Sequence, residues 1–222
     1  MPNQPSPATT TFPRTPRVRA FVDYWNFQLT LNELEAADRG LPDYRFRVDW
    51  RGLGAWLAKK ASEAIGSSNY TFDGVIIYAS YNPQTSEGRG FHHWATTWLD
   101  RQPGVQMECF ERKPKHPPKC PSCHRIIRHC PFNNCGQPIL GTIEKGVDTL
   151  IATDMIRLAW EDAYDLAVLA TSDSDLSPAV EFLNLKGRKV VQAGFPPIGV
   201  NLATRCWASF DVYSNRNQIE RQ

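Results

Sequence analysis

A chain of 222 residues, 41% hydrophobic and 22% charged, can bury the core of one ordinary α/β domain and carry a small appendage. It has no apolar run of about 18 residues, so no membrane span is indicated, and a net charge of +2 argues neither for nor against a polyanionic partner. Residues 1–16 are rich in Pro, Ser and Thr and lack an apolar signal core; they read as a disordered leader, with a cytoplasmic protein as the default.

The first strand is predicted at 18–22, ending at Asp23. It leads through Tyr24, Trp25 and Asn26 into a helix carrying Phe27, Leu29, Leu31 and Leu34. Residues 40–49 read as a loop. A helix over 50–65 follows, with Leu53, Trp56, Leu57, Ala61 and Ile65 on one stripe. A buried strand is predicted at 74–79, a helix at 90–101 and a strand at 105–110. Residues 113–138, dominated by Pro, Lys, Cys and His, break this rhythm and read as an insertion. It resumes with a helix over 145–161, a strand at 166–171 and a helix over 177–185, for which Ser177 is the predicted N-cap and Pro178 the first helical residue. A strand at 188–193, a short helix at 200–206 and a strand at 210–213 close the domain, leaving 215–222 as a C-terminal tail. Strands alternating with helices predict a three-layer α/β/α fold with a mainly parallel sheet over 17–214.

Asp23, Asp148, Asp173 and Asp175 are the candidate chemical groups. Asp23 closes one apolar run, and Asp173 and Asp175 follow another. Ligands of open parallel sheets sit beyond the carboxyl ends of the strands. Carboxylates gathered there repel by about 4 kcal/mol per close pair at an effective dielectric of 20. A divalent cation with oxygen ligands offsets that cost, so the cluster predicts a Mg²⁺ or Mn²⁺ site. The plainer reading of Asp173 and Asp175 is a solvated turn of helix caps, and that of Asp148 is a first-turn acid complementing its helix dipole. Asp154 lies roughly 240° round the helix from Asp148 and is left outside the core site.

Three separated motifs carry a family resemblance: Phe21-Val22-Asp23-x-x-Asn26, then Lys145-Gly146-Val147-Asp148-x-x-Ile151-x-x-Asp154, then Ser172-Asp173-Ser174-Asp175-Leu176-x-Pro178. In this order the chain resembles the NYN domain, in particular the LabA-like branch of the PIN-like nuclease superfamily. The resemblance implies a PIN-like fold and a metal-dependent ribonuclease, acting as an endonuclease on RNA, with DNA as a further substrate left open. It makes Asp23, Asp148, Asp173 and Asp175 the catalytic and metal-holding residues. Asn26 would bond substrate or orient Asp23, and Lys145 would meet a phosphate or neutralise Asp148. The family often has Gly after its first aspartate, where this chain has Tyr24 and Trp25; these read as core more readily than as base-stacking groups. Two other readings stand beside the nuclease: a non-catalytic RNA- or protein-binding module, and a phosphatase-like hydrolase. Homo-oligomerisation is left open.

Within the insertion, Cys120-Pro-Ser-Cys123 and Cys130-Pro-Phe-Asn-Asn-Cys135 resemble a short zinc ribbon. Four thiolates would close the shell of a structural Zn²⁺ and supply the folding energy that so short a loop lacks. His116, His124 and His129 are alternative ligands. Lys113, Lys115, Lys119, Arg125 and Arg128 read either as a solvated face or as a clamp for nucleic-acid backbone. Cys109 and Cys206 read as small buried hydrophobes, and the pair His92-His93 as surface or packing groups.

Overall fold

The computed structural model describes residues 15–130, 135–139 and 141–222. Most of the predicted leader, residues 1–14, therefore lies outside the described residues. So do residues 131–134, between the last two clustered cysteines.

In chain order the elements are β1 (Arg17–Asp23), α1 (Tyr24–Arg39), α2 (Trp50–Ala64), β2 (Thr71–Tyr81), α3 (Ser86–Trp94), β3 (Val105–Glu111), β4 (Lys113–Pro114) and β5 (Thr142–Ile143). There follow α4 (Val147–Trp160), β6 (Leu166–Ala170), α5 (Ser177–Leu185), β7 (Lys189–Gly194), α6 (Val200–Ala203) and β8 (Ala208–Asp211). Six strands form one sheet in the order β3-β2-β1-β6-β7-β8, and every neighbouring pair is parallel. The alternation of strands and helices anticipated this architecture.

The pleat divides the core. Val18, Ala20 and Val22 of β1 face a layer containing Phe27 and Leu31 of α1 and Leu53 and Leu57 of α2. Phe21 faces the other side, where Val147, Ile151 and Met155 of α4 pack with Val180 and Leu183 of α5. Near-continuous apolar strands such as 166–170, all buried, are what a sheet covered on both faces requires. The helix after β2 starts earlier than predicted, at Ser86, because Thr85 caps it by accepting from the Gly88 N–H. Beyond Trp94 the helix loosens into a π-turn over Ala95–Leu99. Residues 213–218 form a 3₁₀ turn, and Ile219 is buried in the first core layer. No helix among the described residues is long and apolar enough to cross a membrane.

The insertion leaves the sheet after β3. Its base is clamped by β4 and β5, an antiparallel pair with Lys113 opposite Ile143.

Candidate active site

β1 and β6 are neighbours at the middle of the sheet, but the chain leaves them for opposite faces, through α1 on one and α5 on the other. The carboxyl ends of such a strand pair border a crevice, the usual ligand position in open parallel sheets. Asp23, the last residue of β1, stands on one side of it and Asp173, just past β6, on the other.

Asp23 is only 5% exposed. One of its oxygens accepts from the Asn26 N–H at 3.1 Å and so caps α1. Burial pushes its carboxyl up to about 7; the Asn26 bond opposes this, and the charges of Glu144, Asp148 and Asp173 reinforce it. Asp148 sits in the first turn of α4. Its carboxyl is also held above the usual range, first by burial and then by Asp173, Glu144 and Asp175. Asp23, Asp148 and Asp173 thus lie within electrostatic reach of one another, with the exposed Asp175 at the outer edge beside Asp148.

Asp173 also caps. Its side chain accepts from the Asp175 N–H at 2.9 Å and opens the 3₁₀ turn Ser174–Leu176, which runs directly into α5. The predicted cap at Ser177 is thereby corrected: Ser177 is already helical, because the added turn moves the exposed N–H groups upstream to Asp173. Asp23 and Asp173 each use an oxygen locally and keep charge directed at the crevice.

Asn26 ties the two sides together. Its backbone N–H serves Asp23, while its side-chain oxygen accepts from the Ser172 N–H at 2.8 Å. Behind this loop, Gln192 donates to the Thr171 carbonyl at 3.0 Å and to the Gly199 carbonyl at 3.3 Å. Gly199 has φ +76°, and a Cβ there would meet the Ser172 Cα at 2.8 Å. Lys145 is exposed, and among the described residues no ion pair joins it to Asp148. Asp154 accepts from the Tyr78 hydroxyl at 3.0 Å and pairs with Arg157 at 3.0 Å, so its charge is spent on α4 and β2.

Glu144 was not anticipated from the sequence. It precedes α4, accepts from the Ser80 hydroxyl, and adds its charge to those felt by Asp23 and Asp148. Arg112 donates to the same Ser80 hydroxyl at 2.9 Å and lies 5.2 Å from the Trp25 ring. The only sequence signal was an acid four residues before Asp148, in a stretch that otherwise reads as solvated loop.

The aromatics after Asp23 pack. Tyr24 is 3% exposed and stacked on Trp50 at 4.4 Å, and Trp25 donates its indole N–H to the Ser80 carbonyl at 2.6 Å. His92 stacks on Tyr81 at 4.3 Å.

The donor set suits a hard cation, since it is entirely carboxylate oxygen, with Asp23 and Asp148 raised first by burial and then by the neighbouring acids. Among the described residues, however, no three acidic, imidazole or thiol side chains already stand close enough to share one ion. That holds for the cysteines as well. Their backbone is nevertheless shaped alike in both pairs. Around the first, Lys119 bridges Ile126 and the Cys120 N–H donates to the Arg125 carbonyl. Around the second, His129 bridges Pro138 and the Cys130 N–H donates to the Gln137 carbonyl. The residue after the second cysteine is left-handed in each, His124 at φ +58° and Gly136 at φ +60°. The Cys123 and Ser122 N–H groups, then the Cys123 thiol, hydrogen-bond Cys120 and lower its pKa, as a thiolate ligand requires. Cys109 and Cys206 are pushed up by burial, to about 11 and about 12, and are inert by the same criterion.

The comparison with curated proteins gives no match. A crystal structure of a protein of unknown function from Vibrio parahaemolyticus is similar in fold, with a TM-score of 0.51 and 17% identity over 91% of this chain and 96% of that one. The NYN domain family model matches residues 17–206, which takes in β1, β2, β3, β6 and β7 of the sheet, the carboxylate crevice and the insertion. The chain belongs to the NYN domain family, within the PIN-like nuclease superfamily.

Proposed function

We propose that the protein is a metal-dependent ribonuclease that hydrolyses RNA phosphodiester bonds endonucleolytically at Asp23, Asp148, Asp173 and Asp175. The observation that carries this reading is the gathering of acids at the crevice: burial first, and then the charges of Glu144, Asp148 and Asp173, raise Asp23 to about 7. A fold does not retain such a cluster for stability. Asp23, Asp148, Asp173 and Glu144 would hold Mg²⁺ or Mn²⁺, with Asp175 at the rim. The ion would supply an activated water and charge stabilisation at the phosphate. The chain's own contribution is positional. Asn26 holds the Ser172–Asp173 backbone against the start of α1, and Ser80 fixes Glu144. Lys145, exposed and three residues before Asp148, would meet a substrate phosphate.

In the insertion, Cys120, Cys123, Cys130 and Cys135 would bind one structural Zn²⁺, a reading supported by the matching backbone turns of the two pairs. Cysteines kept reduced for this purpose fit a cytoplasmic location. Elemental analysis should find one zinc per chain, lost in Cys123→Ser; a folded protein without zinc would remove the assignment.

A second reading, a non-catalytic RNA- or protein-binding module, is favoured by one fact: among the described residues no three ligand groups are already gathered. Incubating mixed RNA and DNA with Mn²⁺, Mg²⁺ or chelator separates the two. Internal cleavage of RNA that chelator abolishes supports the nuclease. Binding without cleavage under all conditions supports the module.

A further inference from the structure

Tyr24, the residue after Asp23, lines a cavity of about 920 Å³ that the carboxylate chemistry does not use. It is larger than a single base needs and falls near the top of the range for small-ligand sites. Its floor and sides are aromatic: Tyr24, Trp50, Phe91, Trp94 and Trp98. Trp94 and Trp98, one turn apart along α3 and its π-turn, stack at 6.0 Å with planes within 20°, and Trp98 is 40% exposed. They form an open ledge rather than a buried pair. Phe91 lies 4.8 Å from Tyr24 and 5.1 Å from Trp25, so the ledge continues to the residues next to Asp23.

The lining also includes three arginines, Arg45, Arg47 and Arg221, all exposed, with Arg45 hydrogen-bonded to the Tyr24 hydroxyl. Asp49 and Glu87 also line it, leaving the cations in the majority. Aromatic faces with surrounding arginines suit stacked bases joined by phosphates. Duplex ends present only one base-pair face, and the interior bases of a duplex are already stacked. A second copy docked face to face across a two-fold axis would bring the same arginines against one another. A cationic peptide would meet like charge.

We propose that this cavity is a binding subsite for an unpaired nucleic-acid strand, its bases stacked on the Trp94–Trp98 ledge and its phosphates held by Arg45, Arg47 and Arg221. The choice of ligand rests on the nucleic-acid reading of the carboxylate crevice, which the same strand would cross. The subsite makes the substrate single-stranded on that side of the crevice.

The test is equilibrium binding of the full chain without added Mg²⁺ or Mn²⁺, so that cleavage plays no part. The probes are fluorescein-labelled twelve-residue oligouridylate, oligodeoxythymidylate and a blunt-ended RNA duplex of the same length, read by anisotropy. The parent should bind one or both single strands more tightly than the duplex. Trp98→Ala should weaken single-strand binding roughly tenfold, and Trp98→Phe should restore most of it. Arg47→Ala should reduce the slope of log affinity against log salt by about 0.7, the value of one phosphate contact on a single strand. Both substituted side chains are exposed, and unchanged melting curves will show that the fold persists. Equal affinity for duplex and single strands, no binding by the parent, or unaltered binding by both Trp98→Ala and Arg47→Ala would overturn the subsite. Cleavage in Mn²⁺ is scored separately. Binding lost in these variants while the parent never cuts RNA leaves the subsite standing and removes the nuclease; cleavage with binding insensitive to both variants does the reverse.

Discussion

The two edges of the central strands use the same residue type in opposite ways. At the amino edge, Asp165 accepts from the Arg17 backbone N–H and side chain and pairs with Arg188, while Asp162 meets both arginines. At the carboxyl edge, Asp23, Asp148 and Asp173 face one another and Glu144. The first edge spends charge on holding β1, β6 and β7 in register. The second gathers acids whose charges raise the pKa of Asp23 and Asp148 beyond what burial does alone. One sheet thus separates stability from chemistry by about the length of its strands.

The comparison breaks if replacements at the two edges behave alike. The largest expected effect is on cleavage by Asp173→Asn, which should lose at least about 100-fold in the presence of Mn²⁺. Asparagine keeps the cap that opens the 3₁₀ turn. The metal-free variant should therefore melt at or above the parent's temperature, and Mn²⁺ should stabilise it less. A variant that melts lower yet cleaves normally would mean that Asp173 is a helix cap and nothing more.

At the amino edge the signs invert. Asp165→Ala removes the less exposed of the two carboxylates shared by Arg17 and Arg188, leaving them Asp162, and should cost about 2–3 kcal/mol, lowering the melting temperature by roughly 5–10 °C. Cleavage per folded molecule should not change. Loss of activity without loss of stability would show that the two edges are coupled.

A smaller effect follows from pH. Asp23 binds its proton up to about pH 7 when folded, against about 3.9 when unfolded. Protonated Asp23 favours the folded state below pH 4, and that contribution is lost as pH rises to 7, by up to about 4 kcal/mol. In metal-free protein, the melting temperature of Asp23→Asn minus that of the parent should rise between pH 4 and 7 and level off above. A difference that does not vary with pH would place Asp23 in a well-solvated position. The smallest effect is expected from Glu144→Gln, whose amide oxygen can still accept from Ser80. It should shift the acid limb of the cleavage profile to lower pH by roughly 0.5, because one repelling charge is gone.

Much of this was legible in the sequence where the signal is local. Asp23, Asp148 and Asp173 end or begin apolar segments, and that position alone puts them at the sheet's carboxyl edge. What escaped depends on contacts between distant segments. Glu144 lies in a polar loop, and its partner Ser80 is 64 residues away. The aromatic cavity draws Tyr24 from α1, Arg45 from the following loop, Trp94 and Trp98 from α3 and its π-turn, and Arg221 from near the end of the sequence. No periodicity connects such residues. Ser177 misled for the opposite reason: Ser-Pro at a strand-to-helix junction is a sound local cap signal, overridden by one extra turn of 3₁₀ helix.

Gly199 gives the crevice a rear stop. Its missing side chain lets the backbone of Ser172 rest directly against the start of α6, so the depth of the Asp173 loop is set from behind the site. Even a methyl group there would act as a wedge, driving Ser172 forward or displacing the Gln192 amide from the Thr171 and Gly199 carbonyls. The spacing of the carboxylates is therefore adjustable from a glycine behind the Asp173 loop, outside the crevice itself.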